Sequence, residues 1–241
     1  MNEKKLSLKW LPLAWAAPLL TTLTFRAIFP TLSINPRSIV LTLRISDMLI
    51  FSLLVYKIWS LAVVIALYCL LRRQGITLAD IGLEGSLSLK VVGYAVLGAA
   101  VAFFMYPLIQ AFVKVLGGSM YWAGPAKAVP VSLATTWDLL LVFSLSVVLA
   151  PVLEEILFRG YILNVFLQKR CKTFIALLLS AFVFASIHYA FGPGLMLYIL
   201  FWTFIPSLLY LKFKSLYPAM LMHSLNNLLA YIILPLLWAV K

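Results

Sequence analysis

Residues 139–168 read LLLVFSLSVVLAPVLEEILFRGYILNVFLQ, a run whose charged side chains are Glu154, Glu155 and Arg159. A helix needs about 20 apolar residues to cross a bilayer, and this stretch exceeds that. The rest of the chain repeats the pattern. Of its 241 residues, 64% are hydrophobic and only 11% are charged, and the mean hydropathy is +1.07. A soluble domain of this length would need far more polar surface. The composition therefore predicts an all-α fold: a polytopic transmembrane bundle of about seven (six to eight) spanning helices. Residues 1–241 form a single integral membrane domain with no soluble domain and no long polar linker.

Working outward from that run, the apolar segments place spans near Trp10–Phe29, Met48–Leu71, Val91–Leu116, Trp137–Gln168, Phe174–Phe191, Leu195–Leu211 and Tyr217–Val240. The region from Leu32 to Ile45 carries Arg37 and Arg44 and reads ambiguously. GITLADIGLEG after Arg72 and Arg73 is a short turn-rich segment at the interface, and residues 117–130 form a loop by their Gly and Pro content. The basic start and the AWAA stretch imitate a signal peptide, but the apolar run continues past the alanines, so a retained first helix is expected.

The net charge is +12. Its cations fall between spans rather than on one face, so no nucleic-acid partner is expected. Lys4, Lys5, Lys9, Arg72, Arg73, Lys169, Arg170, Lys172, Lys212 and Lys214 fall on one side, while Arg37 and Lys127 fall on the other. By the positive-inside rule the N-terminus is cytoplasmic. The two cysteines, Cys69 and Cys171, have no metal-ligand spacing and read as core filler.

A charge at mid-bilayer costs roughly 2.5–3.5 kcal/mol on insertion scales. Glu154 and Glu155 lie about 22 Å along the helix from the basic cluster at 169–172, at 1.5 Å per residue. Glu155 and Arg159 are spaced i,i+4 and can form an ion pair. Glu154 is rotated by about 100°, which leaves its carboxylate free to face a cavity. Pro151 removes a backbone hydrogen bond, so a kink or a restarted helix is expected there. The chain's two histidines also fall in apolar helices: His188 ends FVFASIHY, and His223 opens HSLNN with Asn227 one turn on. Two glutamates, an arginine, two histidines and an asparagine are the groups needed to activate water and hold an oxyanion. They are expected to line one polar cavity between the fourth, fifth and seventh helices. Lys57 lies mid-span and Asp47 near the start of its helix. Snorkelling or a partner on another helix is the expected fate of Lys57, and neither residue is assigned to the site.

EEILFRG, then Phe184 to His188 as F-x-x-x-H, then His223 to Asn227 as H-x-x-x-N, resembles the CPBP family of intramembrane proteases. That family includes the type II CAAX prenyl endopeptidases and bacteriocin-processing or self-immunity proteins. The resemblance covers a motif-bearing core of about 137–232. It implies an intramembrane glutamate-dependent endopeptidase in which Glu154 is the general base and His188 helps to hold the water. Glu155 and Arg159 would organise the site, while His223 and Asn227 would stabilise the oxyanion. The implied substrate is a membrane-embedded or lipid-anchored peptide in the lipid bilayer, and the implied location is the plasma membrane of a prokaryote. No cofactor is expected. A zinc-dependent version of the same peptidase is the less favoured alternative, since H-E-x-x-H is absent and Arg159 engages Glu155. A non-enzymatic transporter or immunity protein is the reading from another class.

Overall fold

Six helices are long and apolar enough to cross a membrane in the computed structural model, which describes residues 6–122 and 133–239. They are α1 (Leu8–Thr31), α3 (Met48–Arg73), α4 (Leu89–Val115), α5 (Thr136–Gln168), α7 (Pro193–Phe213) and α8 (Tyr217–Leu237). A short α2 (Pro36–Thr42) follows α1, and α6 (Thr173–Ser186) is apolar but shorter than the rest. The expected placements of Lys4, Lys5 and Lys127, the second part of the 117–130 loop and the end of the last span at Val240 lie outside the described residues.

Local chemistry sets several starts. Asp47 accepts from the Leu49 amide at 2.8 Å and caps α3. Ser88 accepts from Val91 at the head of α4. At α5, Thr135 and Asp138 cap each other reciprocally. Asp138 also accepts from the amide and hydroxyl of Ser46, at 3.0 and 2.7 Å, and so ties the start of α5 to the approach to α3. The ambiguous 32–45 region becomes α2, a surface turn capped by Asn35 that does not span and keeps Arg37 and Arg44 exposed.

The distribution of side chains is that of a membrane bundle turned outward. Leu89 is 92% exposed and Phe104, Leu108 and Phe182 are also open, whereas Glu155 and Arg159 are fully buried. Cys69 is exposed as well, so the expectation of two core fillers fails for it, while Cys171 is half-buried. The N-terminal segment meets the C-terminal end of α5: the Leu6 amide donates to Gln168 Oε1 at 2.8 Å, and the Tyr161 hydroxyl donates to the Ser7 carbonyl. On the same side, the Leu216 amide donates to the Gly82 carbonyl at 2.7 Å and Ser215 donates to the Glu84 carbonyl. The turn around Ile81 is therefore packed against the bundle, with Ile81 itself fully buried.

Two departures from regular helix shape the site. In α5 the backbone widens into π-turns at Phe143–Leu149 and Ile156–Leu163, with an α-helical stretch at Ala150–Glu155 between them. Such turns are rare and cluster at functional sites. Pro151 stands at the π-to-α junction, where its missing N–H costs least. The helix continues through it rather than stopping. The second departure is α6, which the apolar run extends to Phe191 but the chain ends at Ser186. Its 14 residues measure about 21 Å, short of the roughly 30 Å hydrocarbon core. A turn at Tyr189–Phe191 follows, and then Gly192 at φ +133°. A Cβ on Gly192 would lie 2.6 Å from Tyr121 Cα, so the loop after α4 crosses there because glycine permits it.

Candidate active site

The anchor of the site is Arg159. It is fully buried, and every nitrogen of its guanidinium has a partner. Nη1 donates to Glu155 Oε1 at 2.9 Å, Nε to Ser207 Oγ at 3.2 Å, and Nη2 to the Thr203 carbonyl at 3.1 Å and to the Thr203 hydroxyl. Its flat face lies 4.8 Å from the Phe184 ring centre, with Trp202 farther off. A planar cation held by an acid, two hydroxyl residues and an aromatic face has little freedom left.

Glu155 is equally buried. The same Oε1 that accepts from Arg159 also contacts His223 Nδ1 at 2.8 Å, and Oε2 has no hydrogen-bond partner among the described residues. A carboxylate beside arginine accepts, so His223 donates through Nδ1. Its other nitrogen, Nε2, lies 3.9 Å from Glu154 Oε2. His223 thus stands between the two glutamates.

Glu154 is the more open of the pair, with 12% of its side chain exposed against none for Glu155. Its Oε1 accepts from Lys57 Nζ at 2.7 Å, an ion pair across 97 positions of sequence from the middle of α3. This corrects the expectation that Glu154 is left free, and of the two fates expected for Lys57 it realises the partner on another helix. Helix arithmetic compares residues on one helix, and this partner comes from another. A signal was nevertheless present. Arg159 balances one of two adjacent buried acids, and a mid-span lysine is the natural balance for the second.

His188 follows the end of α6, and its Nδ1 donates to the Phe184 carbonyl at 3.0 Å, since a carbonyl only accepts. In the neutral ring Nε2 then carries the lone pair. The His188 ring lies 5.0 Å from the Phe184 ring, which in turn lies 6.5 Å from the His223 ring. Asn227 spends a donor on packing: its Nδ2 donates to the Ser146 carbonyl at 2.8 Å in the first π-turn of α5. One of its two amide protons is thereby used. The structure joins Glu154, Glu155, Arg159, His223 and Lys57 directly, and His188 follows Ile187, which lines the cavity beside Glu154. Asn227 is buried on the same helix as His223 but is docked on α5.

The cavity beside Glu154 is lined by Tyr56, Ser60, Leu153, Leu157, Phe158 and Ile187, with Ala14 and Ala17 of α1. Its volume of about 20 Å³ accommodates roughly one water. It opens between α1, α3 and α5 and the end of α6, not between the fourth, fifth and seventh helices as expected. The small side chains of Ala14 and Ala17 make the room on the α1 side. Among the described residues, no three His, Cys, Asp or Glu side chains converge as metal ligands. Glu155 Oε1 and His223 Nδ1 are spent on each other and on Arg159.

In comparison with known families, residues 136–229 match the family described as "Rce1-like: Type II CAAX prenyl endopeptidase Rce1-like". No curated protein and no solved structure matches the chain.

Proposed function

We propose, for a chain that belongs through residues 136–229 to the Rce1-like type II CAAX prenyl endopeptidases and is therefore an intramembrane peptidase, that the reaction is glutamate-dependent hydrolysis of a membrane-embedded or lipid-anchored peptide. One observation carries this reading. Glu154 is the acid that borders a water-sized cavity, and one of its oxygens, Oε2, is not engaged by Lys57.

The chemistry follows from the donor and acceptor inventory. Water in the cavity gives a proton to Glu154 Oε2, and its second hydrogen is held by the lone pair of His188 Nε2. The water oxygen bonds to the scissile carbonyl carbon, and the carbonyl electrons move to oxygen. Collapse of that oxyanion breaks the C–N bond, and Glu154 returns its proton to the leaving nitrogen. The oxyanion requires donors. Asn227 keeps one amide proton after serving Ser146. His223, held by Glu155 through Nδ1, contributes a second donor, Nε2–H, when doubly protonated. Glu155 and Arg159 hold His223 in place. No metal enters this scheme, in keeping with the engagement of Glu155 by Arg159.

The basic ends of α3, α5 and α7 share a side with the N-terminal segment, which supports a cytoplasmic N-terminus. The test is mass spectrometry of membrane peptides from cells carrying the wild type or Glu154→Gln. Peptides cleaved in the first and intact in the second support the proposal, and identical profiles refute it.

A further inference from the structure

Lys57 occupies the middle of a 26-residue apolar helix, and only 4% of its side chain is exposed. As a packing residue it is a poor choice. A buried ammonium costs several kcal/mol of desolvation after relaxation, and methionine fills similar space without that cost. Its ammonium meets Glu154 Oε1 at 2.7 Å and lies 4.6 Å from the centre of the Tyr56 ring. The neighbouring acid, Glu155, is served by Arg159. The two cations and two carboxylates therefore pair one to one, and the Lys57 pair is the one that borders the cavity. The pairing is also selective by atom. Lys57 takes Oε1, while Oε2 is the oxygen turned toward His223 Nε2 at 3.9 Å.

We propose that Lys57 is a positioning residue of the hydrolytic site: its ammonium anchors Glu154 Oε1, presents Oε2 to the water, and supplies the counter-charge for an ionised Glu154 inside the bundle. The inference rests on the reading of Glu154 as the base. It has a consequence for the second half of the reaction. Once the water proton sits on Oε2, Lys57 faces a neutral acid, and its charge favours passing that proton on to the leaving nitrogen. Lys57 acts through Glu154 and needs no contact with the peptide.

The experiment uses the full chain in proteoliposomes and a membrane peptide that the wild type cleaves, with Lys57→Met, Lys57→Gln, Lys57→Arg and Glu154→Gln compared. A misplaced reacting group of this kind costs about 10²-fold, so Lys57→Met should lose kcat by about that factor with KM unchanged. Lys57→Arg, which keeps the charge, should recover most of the loss. Should Lys57→Met fail to fold, Lys57→Gln takes its place, with the same loss expected because an amide carries no charge. Wild-type or faster turnover in the neutral variants overturns the proposal, as does a loss confined to KM or an arginine variant as poor as the methionine one. The control separates the two layers. An active Glu154→Gln protein removes the base reading itself, whereas an inactive one beside a fully active Lys57→Met removes only the role of Lys57.

Discussion

Replacing Arg159 with methionine removes the ion pair to Glu155 at 2.9 Å, the bonds to Ser207 and Thr203, and the cation over Phe184. Glu155 stays behind, fully buried, with His223 as its remaining partner. Breaking a buried pair from one side costs about 3–5 kcal/mol, because the surviving charge is uncompensated. We place Arg159→Met within that range, since His223 softens the loss at Oε1 while Thr203 and Ser207 lose a donor. Removing both charges tests the cause. In Glu155→Met/Arg159→Met no buried charge is stranded. The cost it adds is that of an unpaired His223 Nδ1, about 1–3 kcal/mol, while the donor lost to Thr203 and Ser207 is common to both variants. The double variant should therefore be more stable than the single one. Unfolding by denaturant titration in mixed micelles, followed by the signal of the seven tryptophans, gives both values. A single variant as stable as the wild type, or a double variant less stable than Arg159→Met, would refute the electrostatic account and leave packing volume as the explanation.

Three further outcomes are expected. Asn227→Ala should lower kcat by roughly 10²–10³, the usual loss for one oxyanion donor, while Asn226→Ala stays close to wild type; equal losses at both positions would contradict the assignment. Peptide cleavage should survive exhaustive chelation, and recovery of a chelated, inactive enzyme by zinc alone would restore the metal-dependent alternative. Gly192→Ala forces a side chain into a backbone region that only glycine occupies comfortably, and onto the loop at Tyr121. It should destabilise the protein by about 1–3 kcal/mol, and an unchanged melting temperature would show that the loop after α4 adapts freely.

How much of this was legible beforehand depends on how local each feature is. The spans, the basic ends that separate them and the Glu155–Arg159 pair were readable in the amino-acid order. Bilayer thickness and helical rise constrain consecutive residues, and an i,i+4 pair lies within one helix turn. The early end of α6 was not readable, because its apolar run continues to Phe191. The helix ends at Ser186, and the turn that follows leads to Gly192, which meets the loop that arrives from α4. The partners of Glu154, His223 and Asn227 were likewise decided only in three dimensions. Lys57 reaches Glu154 from α3, His223 settles between the glutamates, and Asn227 turns to the Ser146 carbonyl. Contacts between helices depend on the tilt and rotation of each one. In α5 the two π-turns shift the rotation away from the regular 3.6-residue period. The sequence alone thus named the polar groups that had to be buried, and the packing of eight helical segments determined which of them meet.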